Sequence, residues 1–203
     1  MTTRLLRTTS LLFPLVLAAA ALTGCDIAPV DSTGSATSAI SDACPDSVPA
    51  ALTPAADQNL AWVFDASGVQ IYACRAAGAG YAWTFVAPRA DLFNEGGQIV
   101  GKHYAGPTWE ANDGSTIVGA KVAAATVDST AIPWLLLHAV SHNSVDGRFS
   151  DVSSVQRLET VGGIAPASGC DAAHLGAVSE VPYSARYAMY KTKPNGAVSQ
   201  CGQ

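Results

Sequence analysis

The stretch LAWVFDASGVQIYACRAAGAGYAWTFVA, residues 60–87, decides the fold. Three short runs in it, Leu60 to Asp65, Val69 to Arg75 and Tyr81 to Ala87, carry β-branched and aromatic side chains. Ser67-Gly68 and Gly78-Ala79-Gly80 stand between them as turns. Runs this short, punctuated by glycine, read as antiparallel strands. Further candidates are Gln98 to Tyr104, Ser115 to Thr126, Ile132 to Ser141, Val152 to Thr160 and Ser184 to Tyr190. From Ile117 to Val122, apolar and small or polar residues roughly alternate, as on a half-buried strand. Roughly eight strands at fairly regular intervals predict an all-β antiparallel domain, a sandwich or a barrel. Ala131 to His142 also admits a helix, because Trp134-Leu135-Leu136-Leu137 is apolar on both faces.

Upstream of these strands the chain carries an export pattern. Arg4 and Arg7 precede an uncharged apolar run from Leu11 to Leu22, the charge-then-apolar order of a secretory signal. A spanning helix needs about 20 apolar residues, and this run is shorter. It ends in Leu22-Thr23-Gly24-Cys25, which looks like the lipobox of bacterial lipoproteins. Residues 1–24 are therefore expected to be a cleaved signal peptide and Cys25 the lipidated first residue of the mature chain. Two or more lipid chains anchor stably, each buried methylene contributing about 0.8 kcal/mol. Residues 25–47 are rich in Ser, Thr, Ala, Pro and Asp without apolar periodicity, and read as a tether to a single domain over 48–203. Asp26 resembles a retention signal of some two-membrane bacteria, whose sorting rules differ between lineages; the expected address is the cell envelope outside the cytoplasm, inner or outer membrane left open.

Assigning Cys25 to lipid leaves Cys44, Cys74, Cys170 and Cys201, an even set that suggests disulfides in an exported protein. Four cysteines permit three pairings. Cys74 and Cys170 lie inside the domain while Cys44 and Cys201 bracket it, which favours joining each set within itself. None of the four has the short spacing of a zinc knuckle, so metal is not expected there.

Composition agrees with a folded body: 49% of residues are hydrophobic and 13% charged. The formal charge of −5 becomes −7 once Arg4 and Arg7 are removed with the signal, since no acid goes with them. A net negative chain without a Lys/Arg cluster argues against nucleic-acid partners and against electrostatic docking on anionic lipid.

Several ordered blocks carry a resemblance: His103-Tyr104-Ala105-Gly106-Pro107-Thr108-Trp109-Glu110, then Ala131-Ile132-Pro133-Trp134-Leu135-Leu136-Leu137, then Gln156-Arg157-Leu158 with Thr160 and Gly162-Gly163, then Val181-Pro182-Tyr183-Ser184-Ala185 with Tyr187. Over about Val48 to Lys191 the chain resembles the family catalogued as domain of unknown function 3455 (DUF3455). The resemblance implies one extracytoplasmic domain and supplies no reaction. Some members have been labelled malate dehydrogenase. A dinucleotide site needs close glycines at a strand-to-helix turn. The nearest match, Gly78-Ala79-Gly80-Tyr81-Ala82-Trp83, lacks the third glycine and lies between two strands, so that label is rejected and no nicotinamide cofactor is expected.

Hydrolase signatures are also lacking. No serine is flanked by glycines at both elbow positions. His138 and His142 have helical zinc-ligand spacing without the motif's glutamate, and on a strand they would lie about 13 Å apart, too far to share a metal. The block from His103 to Asp113 is the best site candidate. His103 could act as a base with Glu110 or Asp113 as its partner or acid, gathered by the Gly106-Pro107 turn. Alternatively, Tyr104 and Trp109 form a stacking surface for a sugar ring, or the aromatics are core and Glu110 pairs with Arg157 or another cation. Arg157 is expected to share a strand face with Val155 and Glu159 and to form a structural ion pair, with binding as its other role. Two functions follow: a tethered non-enzymatic domain that binds an envelope glycan, peptide or protein, which is favoured, and an extracytoplasmic hydrolase or metal enzyme centred on His103 and Glu110.

Overall fold

The computed structural model describes residues 44–193 and 199–202; the expected signal peptide, Cys25 and all but the last residues of the expected tether lie outside them. Among the described residues, eight strands run antiparallel, each paired with its neighbour in sequence: β1 Gln58–Ala77, β2 Gly80–Phe93, β3 Ile99–Tyr104, β4 Thr108–Ala111, β5 Thr116–Ala125, β6 Trp134–His142, β7 Val152–Gly162 and β8 Val178–Thr192. β1 also pairs with β8, from Gln58↔Thr192 to Ala73↔Val178, and this closes the sheet into a barrel. Of the two all-β architectures the sequence allows, the barrel is the one formed.

The strand count matches the expectation, but its members differ. Leu60 to Asp65 and Val69 to Arg75 are parts of one 20-residue strand, and Ser67-Gly68 is not a turn. Gly68 is there because β1 and β2 come very close: a Cβ at this position would lie 2.1 Å from the Arg89 carbonyl oxygen and 2.5 Å from Ala90 Cα. Gly101 meets the same constraint between β3 and β4, with Glu110 O at 2.5 Å. The strand missing from the sequence reading is β4, hidden inside the polar-aromatic block. The helix alternative at 131–142 does not hold: Trp134–His142 is β6, and its doubly apolar run is explained by an apolar layer on each side of the wall.

Alternate residues of every strand point inward. Phe64, Ala66, Trp109, Leu137, Val155, Tyr187 and Met189 belong to the interior core. Leu60, Trp134, Leu136, Leu158 and Tyr190 form a second layer beneath the segments flanking the barrel. There Gln156 donates from Nε2 to Leu52 O (2.7 Å) and accepts from the Tyr190 hydroxyl (2.5 Å), and that hydroxyl accepts from the Cys201 N–H (3.1 Å). Disulfides join Cys44 to Cys201 and Cys74 to Cys170. The second spans 96 residues and ties β1 to the β7–β8 loop. In the chain-entropy model a loop of this size contributes about 4–5 kcal/mol.

Gly68→Ala is expected to lower the unfolding free energy by about 1–3 kcal/mol, because the new methyl meets backbone that cannot move aside alone. Chemical denaturation measures this; an unchanged midpoint would contradict the close approach.

Candidate functional site: an aromatic-floored cavity in the barrel

β3 and β4 pair in a register that sets His103 opposite Trp109 and Lys102 opposite Glu110. Because side chains alternate along a strand, His103 and Trp109 enter the barrel while Lys102, Tyr104 and Glu110 face outward. Inside, the imidazole stacks on the indole at 4.4 Å between centroids, and Tyr187 meets both edge-on, at 5.1 and 5.5 Å. Outside, Glu110 accepts from the Tyr104 hydroxyl at 2.8 Å and pairs with Lys102 at 3.4 Å.

Asp113 works at the opposite end of the barrel. Its Oδ1 accepts from the Ser115 N–H (2.9 Å) and hydroxyl (2.6 Å), and its Oδ2 from the Arg148 N–H (2.8 Å). These bonds seat the β6–β7 loop so that Phe149, fully buried, plugs the barrel against Trp62 and Phe64. Hydrogen bonds from Ser115 and Arg148 hold the Asp113 carboxyl below its ordinary pKa. His103, Glu110 and Asp113 are therefore an interior ring, an outer-surface acid and a turn acid, not a gathered set. The wall likewise separates Tyr104 from Trp109, which is 1% exposed, so the two cannot form one stacking platform for a sugar. His138 is exposed on the outer face, and His142 Nε2 lies 2.8 Å from the Val152 carbonyl oxygen. Among the described residues no three His, Cys, Asp or Glu side chains come together.

What converges instead is a cavity of about 350 Å³ above the stacked rings. Its lining includes Gln70 from β1, Phe85 and Pro88 from β2, Lys121 from β5, Leu135 and Leu137 from β6 and Arg157 from β7. It opens where the wall is incomplete. β2 pairs with β3 only from Ala90 to Phe93, so residues 80–89 have no strand hydrogen-bonded to that edge. Pro88, with no N–H to offer a ladder, sits on this half of β2. Phe85 and Val86 stand at the rim, 51% and 46% exposed. The Gly106-Pro107 turn, whose peptide bond is cis, borders the opening from the other side.

Arg157 enters the barrel with Val155, but Glu159 does not follow. The ladder between β7 and β8 slips between Leu158 and Val161, Glu159 takes φ +46°, and its carboxylate pairs outside with Arg186 at 2.8 Å. The ion pair expected for Arg157 is therefore absent among the described residues, with Glu110 as with Glu159. Its guanidinium donates from Nε (3.1 Å) and Nη2 (2.7 Å) to the Pro133 carbonyl. Among the described residues, Gln70 Nε2 and Trp109 Nε1 are the buried side-chain atoms left unbonded, and both residues belong to the cavity lining. Gln70 was missed in the sequence, where an alternating Gln on a strand carries no signal until the barrel closes around it.

Burial also sets protonation. Desolvation lowers the His103 pKa to about 3, opposed by the Thr108 carbonyl 2.8 Å from Nδ1 and assisted by the Arg157 charge. The ring is neutral, its proton is on Nδ1 facing that carbonyl, and Nε2 is the acceptor. Desolvation raises the Tyr72, Tyr183 and Tyr187 phenols, so all three remain neutral donors.

Among the described residues the eight strands close into one antiparallel barrel, with a cavity bordered by the His103–Trp109 stack. The chain belongs to the family described as "Protein of unknown function (DUF3455)", whose model matches residues 54–191, from just before β1 to the end of β8. No curated protein and no solved structure matches it.

An imidazole that titrates near 6.5 unfolded and near 3 folded binds more protons when unfolded. Stability from this group is present above pH 6.5 and lost as pH falls toward 3, by roughly 3–5 kcal/mol at 1.36 kcal/mol per unit. His103→Phe should flatten the unfolding free energy between pH 6.5 and 4, a window above that of the lowered carboxylates. Denaturant titrations across that range measure it; equal slopes in both proteins would contradict a buried neutral His103.

Proposed function

We propose that this protein is a non-enzymatic, lipid-anchored binding protein of the bacterial cell envelope, whose barrel holds a small, largely apolar molecule. The observation that carries the reading is the cavity above the His103–Trp109 stack. At about 350 Å³ it falls in the range of small-molecule sites, and it is walled mainly by apolar and aromatic side chains with a few polar groups among them. The unpaired edge of β2 supplies an entrance, with Phe85 and Val86 as an apolar rim.

The address rests on other features. The two disulfides suit a domain folded outside the reducing cytoplasm. The Leu22-to-Cys25 lipobox supports lipidation of Cys25, and the polar segment behind it would let the barrel stand off the membrane. About 20 flexible residues span roughly 25 Å at about 5–6 Å per square root of residue number.

The purified protein is expected to take up the neutral apolar dye N-phenyl-1-naphthylamine saturably, one per chain, with increased dye fluorescence. Val86→Trp, at an exposed rim position, should weaken uptake at least tenfold while leaving the thermal midpoint within about 2 °C, as for surface substitutions generally. No saturable uptake, or equal uptake by the variant, would overturn the reading.

A further inference from the structure

We infer that the molecule held in the barrel carries an anionic oxygen group, a carboxylate or its equivalent, bound by Arg157. This deepens the proposed function and rests on it. The chain as a whole is acidic, with a formal charge of −5, yet the cavity lining contains two cations, Arg157 and Lys121, and no carboxylate. Arg157 is half-buried, and a guanidinium drawn partly out of water without a counter-charge loses hydration that a paired one would recover. Among the described residues neither Arg157 nor Lys121 forms an ion pair.

The hydrogen-bond inventory has the same sign. Arg157 has five N–H donors. The Pro133 carbonyl takes two of its contacts, which fixes the plane of the guanidinium and leaves the rest of the group for the cavity. Gln70 and Trp109, residues of the same lining and 2% and 1% exposed, each hold a buried side-chain N–H without a partner. Buried donors left unbonded are rare in folded proteins, because each forfeits its hydrogen bonds to water. A lining with one guanidinium, one ammonium and no acid is complementary to an acceptor-only group, and a planar carboxylate matches the guanidinium fork. A ligand amine would meet two cations in a cavity without an acid. The apolar remainder of the molecule would lie against Phe85, Leu135 and Leu137.

Displacement of N-phenyl-1-naphthylamine by octanoate, 1-octanol and octylamine reads the head group with the tail held constant. Octanoate is the best hydrated and so the least driven into an apolar cavity, which makes a preference for it a stringent sign. The wild-type protein should be half-displaced by octanoate at a concentration at least tenfold lower than by octanol, with octylamine weakest. Arg157→Met should bring octanoate and octanol within about twofold of each other, a ratio read within the variant itself. Should that variant fail to fold, Lys121→Met, at an exposed strand position, is expected to reduce the octanoate preference at least threefold, and the wild-type ranking decides independently. Octanol equal to or better than octanoate overturns the anionic assignment while the cavity reading stands. Absence of dye uptake by the wild-type protein overturns the cavity reading itself.

Discussion

A 20-residue strand hydrogen-bonded along both edges leaves its side chains only two directions, into the barrel or away from it, and β1 is that strand. Its pairing with β8 closes the sheet and passes the in-or-out rule around the ring. At β3 and β4 the rule sends His103 and Trp109 inward and Tyr104 and Glu110 outward; at β7 it sends Arg157 inward and Gln156 outward. The cavity, its aromatic floor and its charge are therefore consequences of register, and a one-residue slip would exchange the two sets.

The interior divides along the barrel axis. The end plugged by Phe149 is packed with Trp62, Phe64 and Met189 and held by the Asp113 hydrogen bonds; it supplies stability. The end above the His103–Trp109 stack keeps open volume, unpartnered donors and an unneutralised guanidinium, features that lower stability and that proteins retain where function uses them. The β1–β2 hairpin edge, left unpaired beyond Ala90, is the structural reason why this volume communicates with solvent.

Much of this was legible in sequence, with identifiable gaps. The all-β class, most strand positions and the positions from which the cysteines pair followed from short β-rich runs and from which cysteines bracket the domain. Ser67-Gly68 was misread because a glycine forced by close strand approach looks, in one dimension, like a glycine that makes a turn. β4 was missed because four residues flanked by a Gly-Pro turn present no period. Proximity in sequence gathered His103, Glu110 and Asp113, whereas alternation on two short strands turns His103 inward and Glu110 outward, and Asp113 lies beyond β4 in the turn before β5. Arg157 and Glu159, two residues apart, should share a face on a regular strand, and the irregularity after Leu158 is what parts them.

The central claim is that the space above the stacked rings is a binding site, and the Trp109 indole N–H is its most direct reporter. Four tryptophans give four indole signals in a nitrogen–proton correlation spectrum, and Trp109→Phe identifies the relevant one. On titration with N-phenyl-1-naphthylamine the Trp109 signal should move saturably, while that of Trp83, already bonded to the Ser168 carbonyl at 2.9 Å, should stay in place. A Trp109 signal that does not move while dye binds, or moves no more than Trp83, would contradict a site inside the barrel.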